Sequence, residues 1–183
     1  MSEWNSLEVA KLAVGVLTPL LLLGLGWVLN TRLKRIEHSQ WSSQKFIEKR
    51  LALYEDMAPK LNDLFCFFSL VGNFRDISPP AAVALKRDLD KAFFVNRFLL
   101  SERFQESYEG FMHACYETWR GTAQHARLRA SAERQRVERG GAWDDDWLDC
   151  FSLAASVTPL PGVREAYERV MRDFAAELGA TSR

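Results

Sequence analysis

His113 and Cys115 are the first residues whose types and closeness suggest chemistry, because imidazole and thiolate ligate zinc and a Cys–His pair can act as nucleophile and base. Their spacing weighs against a metal site. Residues two apart on a helix stand about 200° apart around its axis, so the two side chains point to different sides. Cys66 and Cys150 add no CxxC, and all three cysteines have apolar or helical neighbours, which reads as reduced core thiols. Neither Glu106 nor Glu109 is followed three residues later by a histidine, as a di-iron helical bundle would require. No P-loop, GxGxxG, GxSxG, HExxH or kinase signature occurs. The sequence leaves open a cysteine nucleophile with His113 or His125 as base, against which the core-like surroundings count. No metal, no cofactor and no enzymatic activity are therefore expected.

A second set of chemistry-bearing residues lies in the small, polar stretch from Thr122 to Arg139. Arg127, Arg129, Arg134, Arg136 and Arg139 stand there against Glu133 and Glu138. Such a cluster can hold phosphate or a partner's carboxylates. Aromatic residues for base stacking are missing from it, and Asp144, Asp145 and Asp146 follow closely enough to neutralise it in cis. Nucleic acid is accordingly not an expected partner. A solvated, self-paired face is the plain reading, and a protein-binding surface formed by Arg127, Arg129, Arg134 and Arg136 is the sharper one. Phe67 and Phe68 belong to the apolar stretch Phe65 to Val71, which reads either as a buried helix end or as a further part of that surface.

The elements that must position these residues are helices. Leu33, Ile36, Ile47, Leu51, Tyr54, Met57, Leu61, Phe65 and Phe68 recur at three- and four-residue steps, with Pro59 expected to kink or divide the helix near Met57. Gly72-Asn73 ends that run. Ser78-Pro79 reads as an N-cap and first helical proline, opening a helix to about Leu100 whose face is Val83, Leu89, Phe93, Asn96 and Leu100. Ser101 caps the next helix, with Phe104, Tyr108, Phe111, Cys115 and Trp119 on one side and Arg120-Gly121 as its stop. The Arg-rich stretch is expected as a helical hairpin arm or a mobile loop. The Asp run opens a short helix carrying Trp147, Leu148 and Phe151, and Val163, Tyr167, Val170, Phe174 and Leu178 line a last helix stopped by Gly179. Strand-like alternation is absent, so the fold class is all-α.

Ahead of this domain, residues Leu12 to Thr31 form a run of twenty without Asp, Glu, Lys, Arg or His. At about 1.5 Å per residue such a helix matches a hydrocarbon core of about 30 Å. A cleaved signal peptide with Gly24-Leu25-Gly26 as its site is the rival, opposed by Glu3 and Glu8 before the run and by the apolar Trp27, Val28 and Leu29 after the site. Trp4 and Trp27 bracket the run as interfacial anchors, and Pro19, opposite the carbonyl of Gly15, is a kink point. Gly15, Gly24 and Gly26 offer surfaces through which spans of a homo-oligomer could pair, though no GxxxG occurs. Arg32, Lys34 and Arg35 border the run on its carboxyl side, whereas Lys11 alone borders it before, which places the N-terminus outside and the domain in the cytoplasm. The division is then an outer tail at 1–11, a transmembrane helix at 12–31, a basic stalk at 32–45 that also touches anionic lipid, and a cytosolic helical domain at 46–183.

The chain carries 24 basic and 24 acidic residues, so no overall field selects a nucleic-acid or strongly charged substrate. Trp41, Gln44-Lys45, Ile47-Glu48-Lys49-Arg50-Leu51 and the stretch from Leu53-Tyr54-Glu55 to Leu61-Asn62-Asp63-Leu64 resemble a group of small bacterial single-span membrane proteins, some found as accessory or effector proteins in anti-phage defence loci. The resemblance implies an inner-membrane location and a role in defence, and it carries over no functional residue. The expected function is membrane-anchored binding of a protein partner, either with an effector action on the membrane or as a scaffold or regulator without one; an enzyme of unrecognised type is the third alternative.

Overall fold

A long first helix, α1, takes up the apolar spacing that begins at Ile47 and is continuous over residues 44–69 in the structure, a computed structural model that describes residues 44–118 and 126–179 together with Leu25, Trp27 and Asn30. Residues 1–46 and 47–183 form two separate units, of which the second is described almost throughout. Pro59 does not divide α1. It sits on the exposed face, as does Glu55, whose carbonyl loses its N–H partner there; water can take that bond while Met57, Ala58 and Leu61 hold the buried face.

Beyond α1, the turn at residues 70–78 is built by Leu70 and Gly72, both at positive φ (60° and 59°), and the Val71 N–H donates back to the Cys66 carbonyl (3.2 Å). Helix α2 spans Pro79–Asn96, with the Ser78 hydroxyl accepting from the Ala81 N–H as the Ser-Pro pair predicts. A 3-10 turn at Arg97–Leu99 leads to Ser101, which caps α3, Glu102–Cys115. Helix α5, Leu160–Glu177, packs along α3. The core lies where the long helices α1, α2, α3 and α5 meet. Phe104 of α3 lies 4.4 Å from Phe174 of α5 between ring centres, Tyr54 of α1 meets Phe174 edge-on at 5.0 Å, and Phe93 of α2 stacks on Tyr108 at 4.1 Å. Each of these buried phenylalanines contributes about 2 to 3 kcal/mol of transfer free energy. The chain is mostly helical, as expected.

One small feature, a two-stranded hairpin, departs from the all-α expectation. Helix α3 stops at Cys115, before Arg120-Gly121, because Tyr116 turns extended (φ −132°) and enters a small antiparallel hairpin of β1, Tyr116–Thr118, and β2, Ala126–Leu128. Three-residue strands are too short to leave an alternation in the sequence. Tertiary bonds hold them instead. The Tyr116 hydroxyl donates to the Ala82 carbonyl (2.7 Å), the Arg129 N–H to the Cys115 carbonyl (2.9 Å) and the Ser152 N–H to the Leu128 carbonyl (2.9 Å). In the Arg-rich stretch, after β2, Ser131 caps a short helix α4, Ala132–Arg139, which Gly140 (φ 56°) ends. Asp144 caps the following 3-10 helix, Asp145–Cys150.

Among the described residues no helix is long and apolar enough to cross a membrane. The run 12–31 lies outside them apart from Leu25, Trp27 and Asn30, which are helical and exposed. Trp4, Pro19, Gly24, Gly26, Arg32, Lys34 and Arg35 likewise lie outside the described residues, as do Trp119 and Arg120-Gly121.

Candidate functional site

Helix α5 carries two acids on its core side. Asp173 and Glu177 fall three and seven residues after Val170, in step with Val163, Val170 and Phe174, so the helix period turns both toward α3. Glu177 is almost fully buried. One carboxylate oxygen accepts from the Ser101 N–H (3.0 Å) and from the Ser101 hydroxyl, and the other lies 3.2 Å from Arg50 Nη1. The Ser101 hydroxyl meanwhile accepts from the Phe104 N–H, so the carboxylate closes the positive end of α3 through its cap. Arg50 Nε donates to the Leu99 carbonyl (2.7 Å) and Nη1 to the Glu177 carbonyl (3.2 Å). One ion pair thus ties the start of α1, the α2–α3 turn and the end of α5.

One turn earlier, Arg103 Nε stands 2.7 Å from Asp173 Oδ1. The contact is electrostatic, since the N–H does not point at that oxygen and Oδ1 is left without a hydrogen bond. Asp173 lies at the wall of an open groove of about 450 Å³ between α3 and α5, lined also by Arg103, Glu106, Glu165, Arg169 and Arg172. A second groove, of about 550 Å³, lies between α1 and α2 and is edged by Lys49, Asp56, Lys60, Asp88 and Lys91. Both surfaces carry both signs of charge, which suits a partner that presents its own mixed charges.

The third polar cluster is internal. Arg139, at the end of α4, donates from Nε to Gln135 Oε1 (3.0 Å) and from its two terminal nitrogens to the carbonyls of Phe74 (2.7 Å), Arg75 (3.3 Å) and Ile77 (2.8 Å). Its guanidinium also lies over Phe67, Phe74 and Trp147 at 5.5 to 5.8 Å. Gln135 completes the cluster by donating to the Phe67 carbonyl (2.8 Å). Burial pulls the Arg139 guanidinium below its ordinary range.

The thiol of Cys115 and the imidazole of His113 are not assembled into a pair. Cys115 is fully buried and burial pushes its thiol well up, holding it protonated, while His113 faces solvent on the other side of α3. Cys66 and Cys150 are buried thiols, and His125 lies outside the described residues. Among the described residues no three His, Cys, Asp or Glu side chains are gathered as metal ligands would be. Burial also raises Tyr116, and burial together with the Asp90 carboxylate, to which the Tyr108 hydroxyl donates (2.9 Å), raises Tyr108.

Of the predicted partner surface, Phe67 and Phe68 are corrected: both are core residues, Phe67 fully enclosed and Phe68 edge-on to Tyr116, because the end of α1 is covered by α4 and the hairpin. Arg127 lies in β2 opposite Glu117, and Arg129 just after it; both are half-buried. Arg134 and Arg136 are exposed on α4, and Arg136 pairs with Asp145 at 3.5 Å, one instance of the neutralisation in cis expected from the Asp run. Asp173 and Glu177 belong to no sequence motif, although their register with Val170 was readable. Comparison of the chain with protein families, with curated proteins and with solved structures finds no match.

Proposed function

We propose that the chain is a single-pass protein of the bacterial inner membrane, with its N-terminus outside, whose cytoplasmic helical domain binds a protein partner. The observation that carries the reading is the uncharged run 12–31 bordered by Arg32, Lys34 and Arg35 on its carboxyl side and by Lys11 alone on the other. The exposed mixed-charge face of the domain supports partner binding: the α3–α5 groove and, beyond it, Arg134 and Arg136 on α4. In the effector version, drawn from the resemblance to defence-associated membrane proteins, partner binding clusters the spans and perturbs the membrane.

Fractionation with a topology reporter at each terminus tests the anchor. The full chain is expected in the membrane fraction with its carboxyl end inside, and a soluble or externally placed carboxyl end overturns the reading. In-cell cross-linking followed by pull-down tests partner binding; charge reversal of Arg169 and Arg172, both exposed, is expected to lose the captured protein. Capture that is indifferent to the reversal removes the groove from the proposal. A membrane-potential dye separates the effector version from a scaffold, because a scaffold leaves the potential unchanged on induction.

A further inference from the structure

The second half of α2 turns a large apolar face to solvent. Phe98 is 95% exposed, Val95 72% and Phe94 57%, and their spacing puts all three on one side of the helix and the turn that follows it. Ile47 and Leu51, one turn apart on α1, are exposed as well. They belong to the same end of the bundle: Arg50 bonds the carbonyl of Leu99, and Lys49 and Val95 line one groove. Isolated surface hydrophobics are ordinary, whereas five large ones gathered at one end of a helical domain mark a surface that meets something apolar.

Resting on the membrane-anchored reading above, we infer that this end of the domain docks on the lipid surface, with Phe94, Val95 and Phe98 entering the boundary between headgroups and acyl chains. Three observations select lipid over another occupant. First, chain connectivity keeps this end within reach of the bilayer: Ile47 follows Thr31, the end of the uncharged run, by about 16 residues, which is at most about 55 Å of extended chain. Second, the composition is that of an interfacial surface, aromatic side chains followed along the same helix face by Lys91 and Arg87 and flanked by Lys49 and Arg97, all exposed. Third, the charges at this end are Lys49, Lys60, Arg87, Lys91 and Arg97 against Glu48, Asp56, Asp88 and Glu102, a slight excess of cations that attracts anionic headgroups. Docking there would align the α3–α5 groove in a fixed orientation to the membrane and reduce the tumbling of a tethered domain.

The test uses the full chain in vesicles of phosphatidylcholine and phosphatidylglycerol that carry headgroup spin-labelled lipid. A bimane fluorophore is placed at Phe98→Cys or, as a control at the far end of α3 near the hairpin, at the exposed Leu153→Cys. The dye at 98 is expected to lose most of its emission while the dye at 153 keeps its own. Adding Phe94→Asp and Val95→Asp, both on exposed positions, should restore the emission at 98 without reducing co-flotation with the vesicles. Co-flotation with unquenched dye at 98 overturns docking and leaves the anchor standing. The same unquenched dye, together with a disulfide-linked dimer of the unlabelled Phe98→Cys chain, overturns docking and assigns the face to a second copy. Failure to float overturns the anchor and the docking together.

Discussion

Arg139 shows how far a side chain's role can depart from its sequence neighbourhood. Set among four other arginines, it reads as part of a solvated basic stretch, yet it is 7% exposed and satisfies three carbonyls of the turn after α1, some sixty residues away. Among the described residues no carboxylate pairs with it; carbonyl dipoles and aromatic faces hold the charge instead. Replacing it with Met preserves much of the volume but leaves buried carbonyls without donors, so Arg139→Met should lower stability by about 3 kcal/mol, whereas Arg134→Met, on the exposed face, should change it by about 0.5 kcal/mol or less. Denaturant midpoints at constant slope would show the difference. Equal, small effects would mean that the cluster is not what orders the turn. Glycine at 72 has a related local reason: its φ of +59° lies in the left-handed region, and a Cβ there would stand 3.2 Å from Cys66 Sγ.

At the scale of elements, the helix starts were the most legible features, because a cap is a short local pattern. Ser78 and Ser101 both accept from an N–H three residues on, as the sequence predicts. Their surroundings make them unequal. Ser78→Ala should cost about 1 kcal/mol, the value of an ordinary cap, while Ser101→Ala also removes a donor from buried Glu177 and should cost about 2 to 3 kcal/mol. A double-mutant cycle between Ser101→Ala and Glu177→Gln is expected to show coupling above about 1 kcal/mol; additive losses would mean that the cap and the carboxylate act independently. The hairpin could not be anticipated in this way. Its strands bond across a connection outside the described residues and lean on Ala82, Cys115 and Ser152, contacts that no window of sequence contains.

For the molecule as a whole, buried phenols and a buried thiol set the response to alkali. Burial raises Tyr108, Tyr116 and Tyr167 above the ordinary phenol range and Cys115 above the ordinary thiol range. In the unfolded chain these groups release protons near pH 8.5 for the thiol and near pH 10 for the phenols, each value about right for a free side chain, while the folded chain keeps them. The unfolded state therefore binds fewer protons above these values. Stability is fully present below them and falls as pH rises, by about 1.4 kcal/mol per pH unit for each of Tyr108, Tyr116 and Cys115, and by less for the partly buried Tyr167. Denaturant melts between about pH 8 and 11 should show the decline, with phenolate absorbance for the buried Tyr108 and Tyr116 appearing only as native circular dichroism is lost. Full phenolate absorbance with the native spectrum intact would contradict their burial.

What the sequence determined by itself was whatever rests on local pattern: the helical class, the two serine caps, the stop at Gly179, the core faces of α2, α3 and α5, and the uncharged run whose basic border motivates the membrane reading. Hydrophobic period and capping chemistry act within a few residues, so a short window contains them. Tertiary structure decided the rest. It buried Phe67, Phe68 and Arg139, left Phe94, Val95 and Phe98 in the open, and joined Arg50 to Glu177 across most of the domain. Burial is a property of what packs against a residue, and here the partners come from helices and turns far away in the chain.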